Sequence, residues 1–571
     1  MENVYIISDF SVKMKRLASE LNIPQVHIIS NQVHENEKDY HNWLNTEFGT
    51  KNIEKIIIPI SISDDGNINT NGLLLGLHIR LNYELPLSKR LLPIIFLTNF
   101  TVENLIKKNH FDRDNNPQNL IFTQGVYFSS FFADDILNTI GKAEACPESE
   151  YRQNCLDKIN VHRKDTIGGH DIANAWGCFK LAQVVGIKDK IFELDIISKH
   201  LKQLYAKFLI CKNESFSPKT CIDLLPLKCV GKKILFIDDK SDEGWGLLMK
   251  QIFKGAGTHF VSIDSSKYKA NDYHSSFKDF DGFYDECLSH VGQDWDLIII
   301  DLRLNPDKED IDNELITPTE FSGYKLIHEF LKANEGYQII VSTASNKIWN
   351  VNAALERGAS AYYIKESPEF NYTIKETQRQ YENFKKDVIN CFQKDYLRDI
   401  YNLCDAAKQA NSNSDTIFKQ ESNSMLDIAW NLIVNEQLDF GYLTLFQIIE
   451  VYANQKYDYR DNSIELDGVK NYMIEADDDN EIWKLTFNRD NRNGDYFSCG
   501  DEQKSLGGVR ANTLYKASCI LKYKYERNDS FLKEFGNLND LRHKIAHEGV
   551  KGQARIENIK KILEIIQRIR Q

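Results

Sequence analysis

Two groups of short, almost uninterrupted apolar runs punctuate this chain. VYIISD, KIIIPIS, LPIIFLT and LIFTQG fall within residues 1–128, and ILFID, DLIIID, IIVSTAS and AYYIKES fall within residues 230–370. Runs of this length, rich in Ile and Val and separated by helical stretches, predict the buried strands of parallel sheets. Between them, residues 129–229 turn helical and charged; in HDIANAWGCFKLAQVVG, after the break at Gly168 and Gly169, the residues Ile172, Ala173, Trp176, Phe179, Leu181 and Val184 form a helical stripe. Residues 371–415 read as a helical connector, with apolar positions at three- and four-residue steps, ending in the polar break NSNSD. From residue 416 to 571, LDIAWNLIVNEQ, YLTLFQIIEVYANQKY, TLYKASCILKYKY and IENIKKILEIIQRI predict amphipathic helices. A polar insertion at about 456–510, carrying the strand-like EIWKLTF, interrupts them. A β-hairpin, a lid and a partly structured loop all fit that insertion, and its acidic run ADDDNE reads as a solvated face. The expected class is multidomain α/β plus α.

Composition narrows the setting. A chain of 571 residues holds about three to five domains. Seventy basic against 83 acidic residues give a net charge of −13, which excludes coating of nucleic acid by bulk electrostatics and leaves room for a local RNA-cutting site. The eleven cysteines show no CxxC pair and no metal-ligand spacing, as expected of reduced thiols. MENVYIISDF lacks a basic stretch followed by a long apolar one, and no run approaches the roughly 18 apolar residues of a membrane span. A soluble, cytoplasmic protein is expected, with no membrane partner.

Candidate chemistry gathers at the ends of the second set of strands. Asp238 and Asp239 close ILFID, and Asp301 ends DLIIID. The carboxyl ends of parallel strands form the ligand crevice, and clustered carboxylates there repel one another unless a hard cation such as Mg2+ neutralises them. Thr343 ends the next run and Lys365 follows the last. A hydroxyl and an ammonium bind phosphoryl oxygens, and an Asp nucleophile would need its charge screened.

In this order the residues of about 230–370 resemble a response-regulator receiver domain. The resemblance implies Asp238 and Asp239 as the acidic pair, with Asp301 completing the Mg2+ ligands and accepting the phosphoryl group. It further implies Thr343 as the switch hydroxyl, Lys365 as the phosphate-binding lysine and Tyr362 as the switch aromatic; GASAYYIK matches the family pattern into the last strand. Two departures stand out: Glu366 replaces the proline that usually follows the lysine, and the segment from Asn305 to Phe321 is longer than usual. A histidine kinase or a small phosphodonor would supply the phosphate.

The N-terminal runs fall in the same order, and NGLLLGLHIRL mirrors SGYKLIHEFL. Pro59 stands where Asp301 stands, Ser8 and Asp9 replace the acidic pair, Gln124 falls near the lysine position, and Thr98 is kept. Residues 1–128 therefore resemble a degenerate receiver, giving two flavodoxin-like, receiver-type domains in all. Without a carboxylate nucleophile, docking or dimerisation and the binding of a small ligand are the roles left. His170, followed by Asp171 and Asn174, faintly resembles the phosphorylated helix of a histidine kinase; capping or packing fits such a histidine equally.

Near the C-terminus, LNDLRHKIAHEGV places Arg542 and His547 five positions apart, about 140° around a helix. An imidazole can move a proton to or from a ribose 2′-hydroxyl or a leaving 5′-oxygen, and a guanidinium can steady the phosphorane charge, with no metal. Here Arg542, His543 and His547 resemble the catalytic motif of the HEPN family of helical domains, with residues 416–571 fitting its fold. That resemblance implies a homodimer sharing one RNA-cutting cleft, although some members only bind, and such residues also complement helix ends. The architecture as a whole implies a phosphorylation-controlled ribonuclease of stress or phage defence, with the connector carrying the receiver's rearrangement. A nonenzymatic signalling adaptor is the alternative.

Overall fold

The computed structural model describes residues 3–8, 12–22, 25–28, 37–62, 70–107, 117–162, 169–212, 229–270, 276–309, 317–344, 348–370, 372–410, 416–458, 463–466, 469–472, 486–490, 495–498, 516–518, 520–521, 529–548 and 551–570. Asp9, Gly168, the break NSNSD, Cys519, the run ADDDNE and the first five residues of EIWKLTF lie outside them. The chain divides into two compact units, residues 1–328 with 339–390 and residues 329–338 with 391–571.

The first unit holds two five-stranded parallel sheets. One comprises β1 (Val4–Ser8), β2 (Gln25–Ile28), β3 (Lys55–Pro59), β4 (Ile94–Leu97) and β5 (Val126–Ser129), in the order β2-β1-β3-β4-β5. The other comprises β6 (Lys233–Ile237), β7 (His259–Ser262), β8 (Leu297–Asp301), β9 (Ile339–Thr343) and β10 (Ala361–Ile364), in the equivalent order β7-β6-β8-β9-β10. Central strands covered on both faces by helices need apolar residues at every position. Ile56, Ile57 and Ile58 of β3 and Leu297 to Ile300 of β8 are accordingly fully buried.

One expected strand is corrected. LIFTQG is not β5: Pro117–Phe122 forms a tight 3-10 helix, where Thr123 Oγ1 donates to Leu120 O at 2.7 Å. Gly125 then turns the chain with φ +79°, and the strand begins at Val126.

In both sheets the helix after the third strand starts hard against that strand's end. A Cβ on Gly72 would stand 2.0 Å from Pro59 O, and one on Gly323 2.0 Å from Asp301 O. The mirrored sequences NGLLLGLHIRL and SGYKLIHEFL thus carry their glycines at one shared junction.

Residues 129–229 supply helices, among them Gly169–Val185 and Leu204–Lys212. The first half of the connector, Ile374–Gln393, packs Phe384 on Phe253 and Tyr363.

In the second unit, Tyr396–Gln409, the connector's second half, joins Thr416–Val434, Leu438–Gln455, Asp529–Glu548 and Ile556–Arg570. Ile400, Leu426, Phe446, Phe535 and Ile562 lie in their common core. The insertion contains an antiparallel sheet of β11 (Tyr457–Asp458), β12 (Ser463–Leu466) and β13 (Val469–Tyr472), and a hairpin of β14 (Thr486–Asp490) and β15 (Asp495–Ser498). Among the described residues no helix is long and apolar enough to cross a membrane, and the eight described cysteines are free and buried.

Beneath the first sheet, His41 is buried with its Nε2 3.1 Å from Glu84 Oε2. Burial pulls its pKa down to about 4, so the folded chain keeps the ring neutral where the unfolded chain, near its ordinary value of 6.5, takes a proton. Stability falls as pH drops through that window. Thermal unfolding of wild type and His41→Gln between about pH 7 and pH 4 should show a shallower loss in the variant; parallel curves would remove His41 as the titrating group.

Candidate functional site

Parallel strands of equal register deliver their last residues to one edge. Ile237 of β6 pairs with Ile300 of β8, and Asp301 pairs with Ser342 of β9. Asp238, Asp239, Asp301, Thr343 and Lys365 therefore emerge together, all buried. Asp238, Asp239 and Asp301 each bring a carboxylate oxygen within 4.8 Å of the others. Lys365 Nζ reaches Asp301 Oδ2 at 2.6 Å and Asp238 Oδ2 at 2.8 Å, and its backbone N donates to Thr343 O at 2.7 Å. Asp238 Oδ1 accepts from the backbone N of Lys240 at 2.9 Å.

Charge counting defines what this pocket lacks. Three carboxylates face one ammonium, leaving two negative charges in a region from which water is largely excluded. Burial pushes the Asp238 and Asp239 carboxyls above the usual range, the second strongly. Burial alone would lower Lys365, yet Asp238, Asp301 and Asp239 hold its pKa above the ordinary value. Hard oxygen donors with a net deficit of two fit a divalent cation such as Mg2+.

The long segment after β8 is anchored at both ends. Glu309 accepts from the backbone N of Ser322 at 2.8 Å, from Ser322 Oγ at 3.1 Å and from the backbone N of Asn305 at 3.3 Å. Arg303 donates its backbone N–H to Asp301 Oδ1 at 3.2 Å. Tyr362 lies in β10, 44% exposed.

A second layer comes from the helix Gly169–Val185. Asn174 Oδ1 accepts from Lys365 Nζ at 3.0 Å, and Asp171 Oδ1 accepts from Lys240 Nζ at 2.9 Å. Trp176 Nε1 donates to Glu366 Oε1 at 3.3 Å, and Lys180 Nζ stands 3.6 Å from the same oxygen. Thr377 Oγ1 donates to Glu366 Oε2 at 2.6 Å. Glu366 is thus a buried anchor for this helix. Sequence reasoning singled out Asn174 and Glu366 without joining them to the pocket; the only trace was that Asp171 and Asn174, three apart, share a helix face. His170 falls in the helix's first turn.

At the equivalent edge of the first sheet, Pro59 pairs with Leu97 just as Asp301 pairs with Ser342, so Pro59 holds the position of Asp301 and Thr98 that of Thr343. Gln124 is not at the lysine position, because it precedes β5 and binds Asn154 Nδ2 at 2.6 Å. Counting on from the Leu97–Ser129 pair puts Phe131 there, with Lys13 Nζ 4.5 Å above its ring.

In the second unit Arg542, His543 and His547 lie on Asp529–Glu548, partly or fully exposed. Arg542 Nη2 pairs with Glu450 Oε1 at 2.7 Å, while its Nη1 lies 3.4 Å from His547 Nε2. The His543 and His547 ring centroids are 4.7 Å apart. The long arginine side chain spans the angular gap that the five-residue spacing creates. Tyr442 fixes the helix, donating to Leu538 O at 2.6 Å.

Residues 10–129 match the family model described as Inactive Receiver domain. Pro59, within that stretch, and Phe131, just past it, stand where Asp301 and Lys365 stand in the second sheet; the match does not reach the second sheet. Among solved structures, one titled "Structure of probable two-component system response regulator/GGDEF domain protein" is 11% identical, covering 69% of this chain and 100% of its own, with a TM-score of 0.17. Another, titled "Crystal structure of putative two-component system response regulator/ggdef domain protein", is 12% identical, covering 67% and 100%, with a TM-score of 0.15. At those scores the likeness bears on neither fold nor function. Comparison with curated proteins finds no match.

Two outcomes are expected of the pocket. Mg2+ binding followed by calorimetry should weaken at least about tenfold in Asp239→Asn. It should also weaken as pH falls from about 8 to 6, since protons compete for carboxyls with raised pKa; an affinity indifferent to both would remove the cation from this site. Gly323→Ala, which sets a methyl against Asp301 O and Leu302 O, should cost about 1–3 kcal/mol in urea unfolding.

Proposed function

We propose that this chain is a response-regulator effector that is phosphorylated on Asp301 and thereby controls a HEPN ribonuclease in its second unit. The observation that carries the reading is the triad Asp238, Asp239 and Asp301 with Lys365, assembled from three strands at the carboxyl edge of β7-β6-β8-β9-β10. Asp301 Oδ attacks the phosphorus of a phosphohistidine or a small acyl phosphate. The donor's P–N or P–O bond breaks, and an aspartyl phosphate forms. Asp238, Asp239 and Asp301 would hold Mg2+, which supplies charge neutralisation at the phosphoryl oxygens. Lys365 and Thr343 bind those oxygens, and Tyr362 responds at the β10 surface. The first sheet, lacking an acceptor, serves as a docking or dimerisation module.

Arg542 and His547 are adjacent, and the His543 ring lies beside that of His547, tilted by 47°, which supports the ribonuclease output. The ribose 2′-oxygen attacks the neighbouring phosphorus, the 5′-oxygen leaves, and His547 moves a proton between them while Arg542 faces the phosphorane. No metal enters this route, and a homodimer would pair two such sites. Stress or phage defence is the setting that best suits a switchable RNA cutter. The nonenzymatic adaptor draws support from one contact, the ion pair of Arg542 with Glu450, which partly neutralises the guanidinium.

Cleavage of a mixed RNA pool by the full chain, with and without acetyl phosphate and Mg2+, separates the two readings. His547→Ala should lose about 10²–10⁴-fold in rate, and the effect of acetyl phosphate should vanish in Asp301→Asn. Aspartyl phosphate without cleavage in any state would favour the adaptor.

A further inference from the structure

Lys365 is where the acceptor pocket meets the helix Gly169–Val185. Its Nζ stands 2.6 Å from Asp301 Oδ2, 2.8 Å from Asp238 Oδ2 and 3.0 Å from Asn174 Oδ1. Two of the ammonium's three protons are donated, to Asp301 Oδ2 and Asn174 Oδ1, while Asp238 Oδ2 is an ion-pair neighbour. A phosphoryl group on Asp301 brings further anionic oxygens to the same ammonium, where they compete with its present neighbours. Two of the three are carboxylates, whose bonds join full charges; the third is a neutral amide and the weakest competitor.

Resting on the reading of Asp301 as acceptor, we infer that the helix Gly169–Val185 senses the phosphoryl group. Phosphorylation takes Lys365 from Asn174 and releases the helix's first turns from the second sheet. Asn174 is a positioning residue, acting through Lys365. Asp171, one turn earlier on the same face, ties the helix to Lys240, itself shared with Glu243 at 3.2 Å. Further along, Glu366 holds Trp176 and Lys180, and the carbonyl O of Tyr372 accepts from Lys180 Nζ at 2.9 Å. A Cβ on Gly177 would stand only 2.8 Å from Glu366 O, so this part is seated without slack. Opening therefore falls on residues 171–175, while the turns from Trp176 onward stay anchored. The phosphate is thus read by a helix that precedes the receiver in sequence.

Hydrogen exchange of the full chain by mass spectrometry, with Mg2+ and beryllium fluoride as the phosphoryl mimic, tests this. Fluorine NMR of the bound mimic gives its occupancy independently. In wild type at full occupancy, amides of residues 171–175 should exchange about tenfold faster or more, and in Asp301→Asn they should not change. Asn174→Ala should speed the same amides without any mimic. Asn174→Asp, which offers Lys365 a charged acceptor, should slow them and demand more beryllium fluoride for equal occupancy; a merely structural Asn174 would give both variants one sign. Bound mimic with unchanged exchange overturns the inference and leaves Asp301 as acceptor. Absence of bound mimic in wild type overturns the acceptor reading, and the inference with it.

Discussion

A single ammonium, Lys365, buried among Asp301, Asp238 and Asn174, is the interaction on which the first unit's arrangement turns. Removing one partner from a buried ion pair costs about 3–5 kcal/mol, a large share of the roughly 5–15 kcal/mol that holds a domain together. The pocket therefore has to be charge-balanced as a whole. Its members come from the ends of β6, β8 and β10, so the ammonium reaches its carboxylates only when those strands are parallel and in register. Sheet topology and site electrostatics are here one constraint.

The first sheet shows what happens when that constraint is lifted. Ser8 and Pro59 remove two of the carboxylates and Phe131 removes the ammonium, while Asp9 keeps an acid in the sequence and Lys13 Nζ stands 4.5 Å above the Phe131 ring. Thr98 persists at the end of its strand, at the level of Thr343. Strand order is unchanged, because it rests on the apolar faces of Ile56, Ile57, Ile58 and Phe96, all fully buried. Packing keeps the fold, while chemistry is confined to the residues just past the strand ends.

Much of this was legible in the sequence because it is local. The central strands announce themselves as unbroken Ile and Val runs, and the acidic pair, Asp301, Thr343 and Lys365 each follow one directly. The edge strands β2 and β7 were not read, since QVHI and HFVS are short and mixed in polarity. LIFTQG misled because a 3-10 turn and a strand share an apolar signature over four residues. Contacts between distant segments left almost no trace: nothing in the sequence joins Asn174 to Lys365, 191 residues away, or gives Glu366 its partners Trp176 and Lys180. At Arg542 and His547 the helical-wheel angle argued for separation, and the length of the arginine side chain overrode it. The ion pair with Glu450 was likewise invisible, because it joins two helices across the polar insertion.

Gly72 and Gly323 amount to an experiment already performed within one polypeptide. Each sits where a methyl group would strike the carbonyl of the third strand's last residue, Pro59 in one sheet and Asp301 in the other. One of those residues has a carboxylate side chain and the other has none, yet the steric demand is the same. That glycine therefore reports on how closely a helix abuts a strand. It is a mark of architecture, and silent about whether a domain of this shape carries out phosphoryl chemistry.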